Sequence, residues 1–205
     1  MPWVKTFDTD EVLEKAGVMF ASKGFEATSI SDLTQAMGIN KGSLYHAFGS
    51  KRDLFEAVLR KDVMGRQATA FRQLEGMSDP VAAILAIFDG AIAQHEGSPP
   101  NAGNLIIITA LDLPEHSDGV RDIVKLAVRN LETLFARLID QGHESGAISG
   151  TTGRDCTAKA LVALITGCRV FARGTYEVAD LLDIKNCALK LLGVNAKLDA
   201  CEQVA

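Results

Sequence analysis

The chain has 205 residues, 47% hydrophobic and 23% charged, with a formal net charge of −5. That suits one large domain, or a small one beside a larger one, and the acidic balance excludes a protein that coats nucleic acid regardless of sequence. No apolar run approaches a membrane span and no basic segment leads an apolar core as in a secretory signal, so a cytoplasmic chain without a membrane partner is expected.

The four cysteines, Cys156, Cys168, Cys187 and Cys201, include no C-x-x-C pair, and reduced thiols are the default in that compartment. The charge is unevenly placed. Residues 1–61 balance eight Lys/Arg with eight Asp/Glu, while residues 62–205 hold 13 basic and 18 acidic residues. Lys41, Lys51, Arg52, Arg60 and Lys61 crowd one stretch of the neutral part, opposed there only by Asp53 and Glu56. A local basic patch on an acidic body opposes promiscuous adhesion to DNA.

In chain order, Asp8 with Glu11 forms a helix start signal, Val12, Ala16, Met19 and Phe20 share an apolar face, and Gly24 stops the helix. Ser29 with Asp32 opens a second helix that buries Ile30, Leu33 and Met37. Gly38 turns the chain, and Asn40 caps a third helix with Leu44 and Phe48 inward. Ser50 with Asp53 caps a fourth, which runs to about Leu74. Pro80 stands at a first helical position for a helix to residue 95, and residues 95–101 form a loop. The β-branched run in residues 104–113 suits a strand by composition; a buried helix ending at Pro114 is preferred, because no partner strand is near. Residues 118–143 form a long amphipathic helix, residues 142–153 a polar turn, and two helices follow over about 154–174 and 177–193.

Two short helices joined by a glycine turn are a helix-turn-helix, whose second helix enters the major groove in DNA-binding versions. Thr28 and Ser29, at the second helix start, offer hydroxyls and amides to phosphates. The third helix exposes Lys41, Gly42, Ser43, Tyr45 and His46. Lys41 suits guanine O6/N7, Gly42 permits close backbone approach, and Tyr45 offers its hydroxyl to a phosphate. Lys51 joins its charge to the positive end of the fourth helix.

Phe20, Gly24, Phe25, Thr28, Ser29, Leu33, Met37, Gly38, Ile39, Ser43, Leu44, Tyr45, Phe48, Ser50, Lys51 and Leu54, at their spacing, resemble the N-terminal domain of TetR/AcrR-family transcriptional regulators. The resemblance covers about residues 8–60. It implies an all-α homodimer of about nine helices per subunit. An N-terminal three-helix helix-turn-helix domain, residues 1–53, would bind DNA. Residues 54–194 would form a larger helical ligand-binding and dimerisation domain, and residues 195–205 a frayed tail. The implied function is a repressor released from a pseudo-palindromic operator by a small-molecule effector. Two departures stand out: only Lys5 is available as a basic arm, and Ser31 occupies a position that is often charged in the family.

Candidate effector contacts are Phe71, Ile84, Phe88, Ile92, Ile107, Leu111, Leu126 and Arg129, the last suited to an anionic group. The small residues Ala160, Ala163, Gly167 and Ala172 suit close helix packing across a dimer built from about residues 154–193. Cys168 beside Arg169, and Cys187 near Lys185 and Lys190, frame an alternative thiol-based electrophile or redox sensor; buried inert cysteines are the preferred reading. A protein-interaction module that no longer binds DNA is the other alternative. Asp112, Glu115 and His116 read as solvated groups beside a proline turn, and His95 opens the loop. Without ligand spacing, nucleophile motif or phosphate loop, neither metal, cofactor nor enzyme activity is expected.

Overall fold

The computed structural model describes residues 7–93 and 102–194, and every regular element among them is helical. Ten α-helical segments run in order: α1 (Thr9–Lys23), α2 (Ile30–Met37), α3 (Lys41–Phe48), α4 (Lys51–Lys61), α5 (Ala68–Glu75), α6 (Pro80–Ile92), α7 (Ala102–Leu111), α8 (Asp118–Glu144), α9 (Arg154–Phe171) and α10 (Val178–Leu191). A π-helical turn, Asp62–Gln67, joins α4 to α5 in one rod, so the described residues form nine helical rods, as expected. The expected fourth helix is thus continuous to Glu75 but not regular: the π turn inserts an extra residue. The predicted loop at residues 95–101 lies outside the described residues, as do Lys5, His95, Cys201 and the expected tail.

Local chemistry sets the boundaries. Asp8 caps α1 by accepting from the Asp10 amide at 2.8 Å. Ser29 and Asp32 form a reciprocal capping box on α2. Asn40, Ser50 and Asp79 cap α3, α4 and α6. The β-branched run forms α7, and the Thr109 hydroxyl, 2% exposed, donates to the Leu105 carbonyl at 2.7 Å. A buried hydroxyl is thereby satisfied within its own helix.

The chain divides into two compact units: Met1–Gln73 with Gly97–Asn130, and Leu74–Glu96 with Leu131–Ala205. In the first, α1 packs against α2, α4 and α7. Its core joins Phe20 of α1, Leu33 of α2, Leu44 of α3, Phe55 of α4, Leu105 of α7 and Val124 of α8. Phe20 and Phe55 meet edge-on with centroids 4.9 Å apart. The Lys61 ammonium reaches back to α1, 2.6 Å from the Asp10 carbonyl. In the second unit, α6 packs against α9 and α10, which also pack together. Ile84, Phe88, Phe135, Leu138, Leu161 and Leu181 are fully buried there. The loop after α8 closes α10: the Gly150 amide donates to the Leu192 carbonyl at 2.9 Å, and the Ser149 hydroxyl to the Gly193 carbonyl at 2.7 Å. The first unit holds more than the expected recognition domain of residues 1–53, because α7 and the start of α8 pack into the same core.

Candidate nucleic-acid interface

The recognition element is built from its caps inward. Gly38 adopts the left-handed conformation (φ 69°, ψ 27°) that ends α2, a backbone state glycine enters without the penalty of a Cβ. Two residues later the Asn40 side chain accepts from the Ser43 amide at 2.8 Å and starts α3. Leu44 is fully buried and fixes the inward face of α3; Phe48 packs, partly buried, against the same core. That leaves Lys41, Gly42, Tyr45 and His46 exposed, with Ser43 partly so. Lys41 and Tyr45 stand one turn apart, the ammonium 5.9 Å from the ring centroid. A Cβ on Gly42 would sit 3.3 Å from the Asn40 Oδ1, so the glycine leaves room for the cap as well as for a ligand.

The hydroxyls expected to meet phosphates at α2 are otherwise engaged. Thr28 is fully buried, and its hydroxyl donates to the Gly24 carbonyl at 2.6 Å. Ser29 is exposed, but its hydroxyl donates to the Asp32 carboxylate at 2.7 Å while accepting from the Asp32 amide at 3.0 Å. What this helix start can offer an anion is the pair of amides at Ile30 and Ser31, which have no intrahelical acceptor. Asp32 lies beside them as a carboxylate. Its pKa is held well below the usual carboxylate range, first by the Lys23 hydrogen bond and then by the Ser29 amide and hydroxyl. Lys23, 2.8 Å away, offsets its charge.

Lys51 stands at the first position of α4, partly buried. Its ammonium lies 4.5 Å from the Phe25 ring centroid and 3.3 Å from the Glu26 carbonyl. It is thus anchored to the α1–α2 loop, on the same unit as the exposed face of α3.

His116 corrects the sequence reading. Beside Pro114 it is not solvated but only 8% exposed, stacked on Phe55 with centroids 5.4 Å apart and edge-on to Phe25 at 5.6 Å. No local sequence signal marks this, because its partners come from α4 and the α1–α2 loop.

The expected effector contacts are not brought together in one unit. Phe71, Ile107, Leu111, Leu126 and Arg129 belong to the first, and Ile84, Phe88 and Ile92 to the second. Ile84 and Phe88 are fully buried, whereas Leu111 is 73% and Leu126 43% exposed and Arg129 is exposed. Cys168 is fully buried, and burial pushes its thiol pKa up against the smaller opposing pull of Arg169. Cys156 and Cys187 are exposed. Among the described residues no group of three His, Cys, Asp or Glu is placed to hold a metal ion, and no helix is long and apolar enough to cross a membrane.

The sequence model of a family described as bacterial regulatory proteins, tetR family, matches residues 12–58, which span α1 to most of α4. The HTH-type transcriptional repressor ComR of Escherichia coli is 30% identical over 188 residues, which are 91% of this chain and 90% of that protein. The HTH-type transcriptional repressor KstR2 of Mycolicibacterium smegmatis is 49% identical over 144 residues, 67% of this chain and 66% of that one. A solved structure of a cysteine mutant of the TetR family transcriptional regulator CifR, complexed with 26-bp double-strand operator DNA, superposes with a TM-score of 0.78 at 26% identity. That likeness covers 94% of this chain and 99% of that one. By fold, recognition element and full-length similarity, the chain belongs to the TetR family of bacterial regulatory proteins.

Proposed function

We propose that this chain is a homodimeric repressor that occupies a pseudo-palindromic operator, with α3 of each subunit in successive major grooves, and leaves it when a small-molecule effector binds. The chain is a DNA-binding transcriptional regulator by family. The observation that carries the reading is α3 itself: a short helix pinned by buried Leu44 and capped by Asn40, presenting Lys41, Gly42, Tyr45 and His46 outward. Lys41 and His46 offer polar contacts to base edges, and Gly42 lets the backbone approach. Tyr45, Lys51 and the first amides of α2 meet phosphates, with Thr28 holding the loop before α2 rather than touching the duplex.

Dimerisation through α9 and α10 is supported by Leu182, 42% exposed on α10, and by exposed Ala163 on α9. Release by a ligand is the usual behaviour that the family resemblance implies. Phe71, Ile107, Leu111, Leu126 and Arg129 keep some surface open to such a ligand, while Ile84 and Phe88 are packed shut.

Selection of genomic fragments on the purified protein tests this, the best fragment being repeated across a salt series. A palindromic site bound with a steep salt slope supports the reading; weak binding blind to sequence defeats it. On that site Lys41→Ala relaxes base preference, whereas Tyr45→Ala and Lys51→Ala weaken binding to all sequences alike. A monomer by light scattering at micromolar concentration would sink the two-half-site arrangement.

A further inference from the structure

The connection between α7 and α8 reaches the recognition element through one aromatic ring. His116 packs its ring on Phe55 at 5.4 Å, nearly parallel at 16°, and meets Phe25 at 5.6 Å and 65°. Phe25 also touches Phe55, centroids 4.8 Å apart. The Lys51 ammonium in turn rests 4.5 Å from the centre of Phe25 and 3.3 Å from the next carbonyl, Glu26. Phe25 is therefore shared by a buried histidine from the α7–α8 connection and by the lysine at the start of α4. A second grip lies one turn on. The Glu56 carboxylate packs on Gly119, where an added Cβ would meet Oε2 at 2.5 Å. A side chain at this position would have to push the Glu56 carboxylate aside, away from its pairing with Arg60.

We infer that His116 is a positioning residue for DNA binding: it fixes Phe25, and through Phe25 the place from which Lys51 meets a phosphate. His116 does not touch the duplex. A lysine ammonium on a four-carbon stem is free to sample many rotamers. One held over an aromatic face and against a carbonyl has already lost much of that freedom, so the phosphate contact orders less on binding. Phe25 is only partly buried, and its tilt is set by what packs beside it. Without the imidazole it has one wall fewer, and Lys51 loses its seat. The sequence model of the family ends its match at residue 58, so His116 lies outside the stretch that model describes.

The inference rests on the DNA-binding reading above. It is tested on the full chain with the selected operator fragment, by affinity across a salt series for wild type, His116→Leu, His116→Phe, Lys51→Ala and the His116→Leu/Lys51→Ala double variant. His116→Leu is expected to weaken binding roughly three- to tenfold and to lower the salt slope by about one per subunit, the signature of a lost phosphate contact. His116→Phe keeps a flat ring against Phe55 and restores both. In the Lys51→Ala background His116→Leu produces no further loss, because the two act through one contact. Circular dichroism and thermal melting check the fold; if His116→Leu does not fold, His116→Met, a flexible apolar filler, carries the same cycle. Unchanged salt slopes, additive losses, or equal behaviour of the Leu and Phe variants overturn the inference while leaving DNA binding intact. Wild-type protein that binds no fragment defeats the DNA-binding reading itself, and this inference with it.

Discussion

Replacing Asn40 by alanine is the sharpest test of how α3 is held. The helix has eight residues, Lys41–Phe48, too few to persist without support. Its support is buried Leu44, partly buried Phe48, the Gly49 amide closing on the Tyr45 carbonyl at 2.9 Å, and the Asn40 side chain accepting from the Ser43 amide at 2.8 Å. Alanine removes the last of these. The Ser43 amide lies on the exposed side, where water can replace the lost acceptor, so the cost is that of an ordinary N-cap, about 1 kcal/mol. In a chain of this size that lowers the melting temperature by roughly 2–4 °C. Concentrated in the first turn, it raises the opened fraction of Lys41, Gly42 and Ser43 about fivefold. Operator affinity falls with the closed fraction, so the loss per half-site is at most about fivefold and reaches that only where the first turn is already mostly open in the free chain. Asn40→Asp separates stability from binding. The carboxylate keeps the cap and suits the helix dipole, so melting is unchanged or raised, but it faces the phosphates and affinity still falls. Thermal melts, hydrogen exchange at Leu44 and Tyr45, and anisotropy titrations on the operator read these quantities. Unchanged melting and exchange in Asn40→Ala refute the capping argument. Wild-type affinity in Asn40→Asp shows that the start of α3 does not face the duplex.

Gly142→Ala would drive a Cβ into the Ile148 side chain, whose Cγ1 lies 2.5 Å from that position; overpacking here costs about 1–3 kcal/mol, read as lowered denaturant resistance, and Ile148→Val in the same chain recovers part of it. Additive effects of the two would refute the contact. Exposed Cys156 and Cys187 should react with a thiol reagent in the native protein and fully buried Cys168 only on unfolding, and operator binding should survive the first two modifications; loss of binding would favour a thiol sensor. The pKa of Asp32 is depressed in the folded chain, chiefly by Lys23. Its contribution to stability is therefore complete above about pH 4, the unfolded value, and is lost as pH falls through the depressed value. Asp32→Asn should flatten that part of the acid unfolding profile, and an unaltered profile would show that the carboxylate is not held.

The helix starts of the recognition element were legible because each is written within four residues. Asp8, Ser29, Asn40 and Ser50 bond to amides two or three positions on. The apolar run of α7 was legible only by elimination, and Thr109 shows why a helix suits it, since its hydroxyl bonds back to Leu105. The π turn was not legible: Asp62–Gln67 keeps Asp62 and Val63 buried as an α-helix could, and the extra residue leaves no mark in the apolar spacing. Thr28 was placed at the right helix start but on the wrong side of it, because sequence does not say whether a hydroxyl turns to solvent or back to the Gly24 carbonyl. His116 was misread because a proline turn suggests water, while Phe25 and Phe55 reach it only in the folded core.

With the Thr28 hydroxyl turned inward and the Ser29 hydroxyl engaged by Asp32, the start of α2 presents phosphates with two free amides and one carboxylate. Whether it attracts or repels DNA then depends on Lys23. The Lys23 ammonium lies 2.8 Å from the Asp32 Oδ1, in a pair whose side chains are 45% and 29% exposed. Exposed pairs of this kind contribute little to stability, and the Ser29 amide and hydroxyl still hold the Asp32 carboxylate without Lys23, so Lys23→Ala should lower melting only slightly. Operator affinity should nevertheless fall, because the Asp32 charge is uncovered at the one end of α2 that favours an anion. The double variant Lys23→Ala/Asp32→Asn separates this from a direct contact. If Lys23 acts by offsetting Asp32, the double variant regains most of the lost affinity. If Lys23 itself meets a phosphate, the loss persists and the salt slope stays reduced.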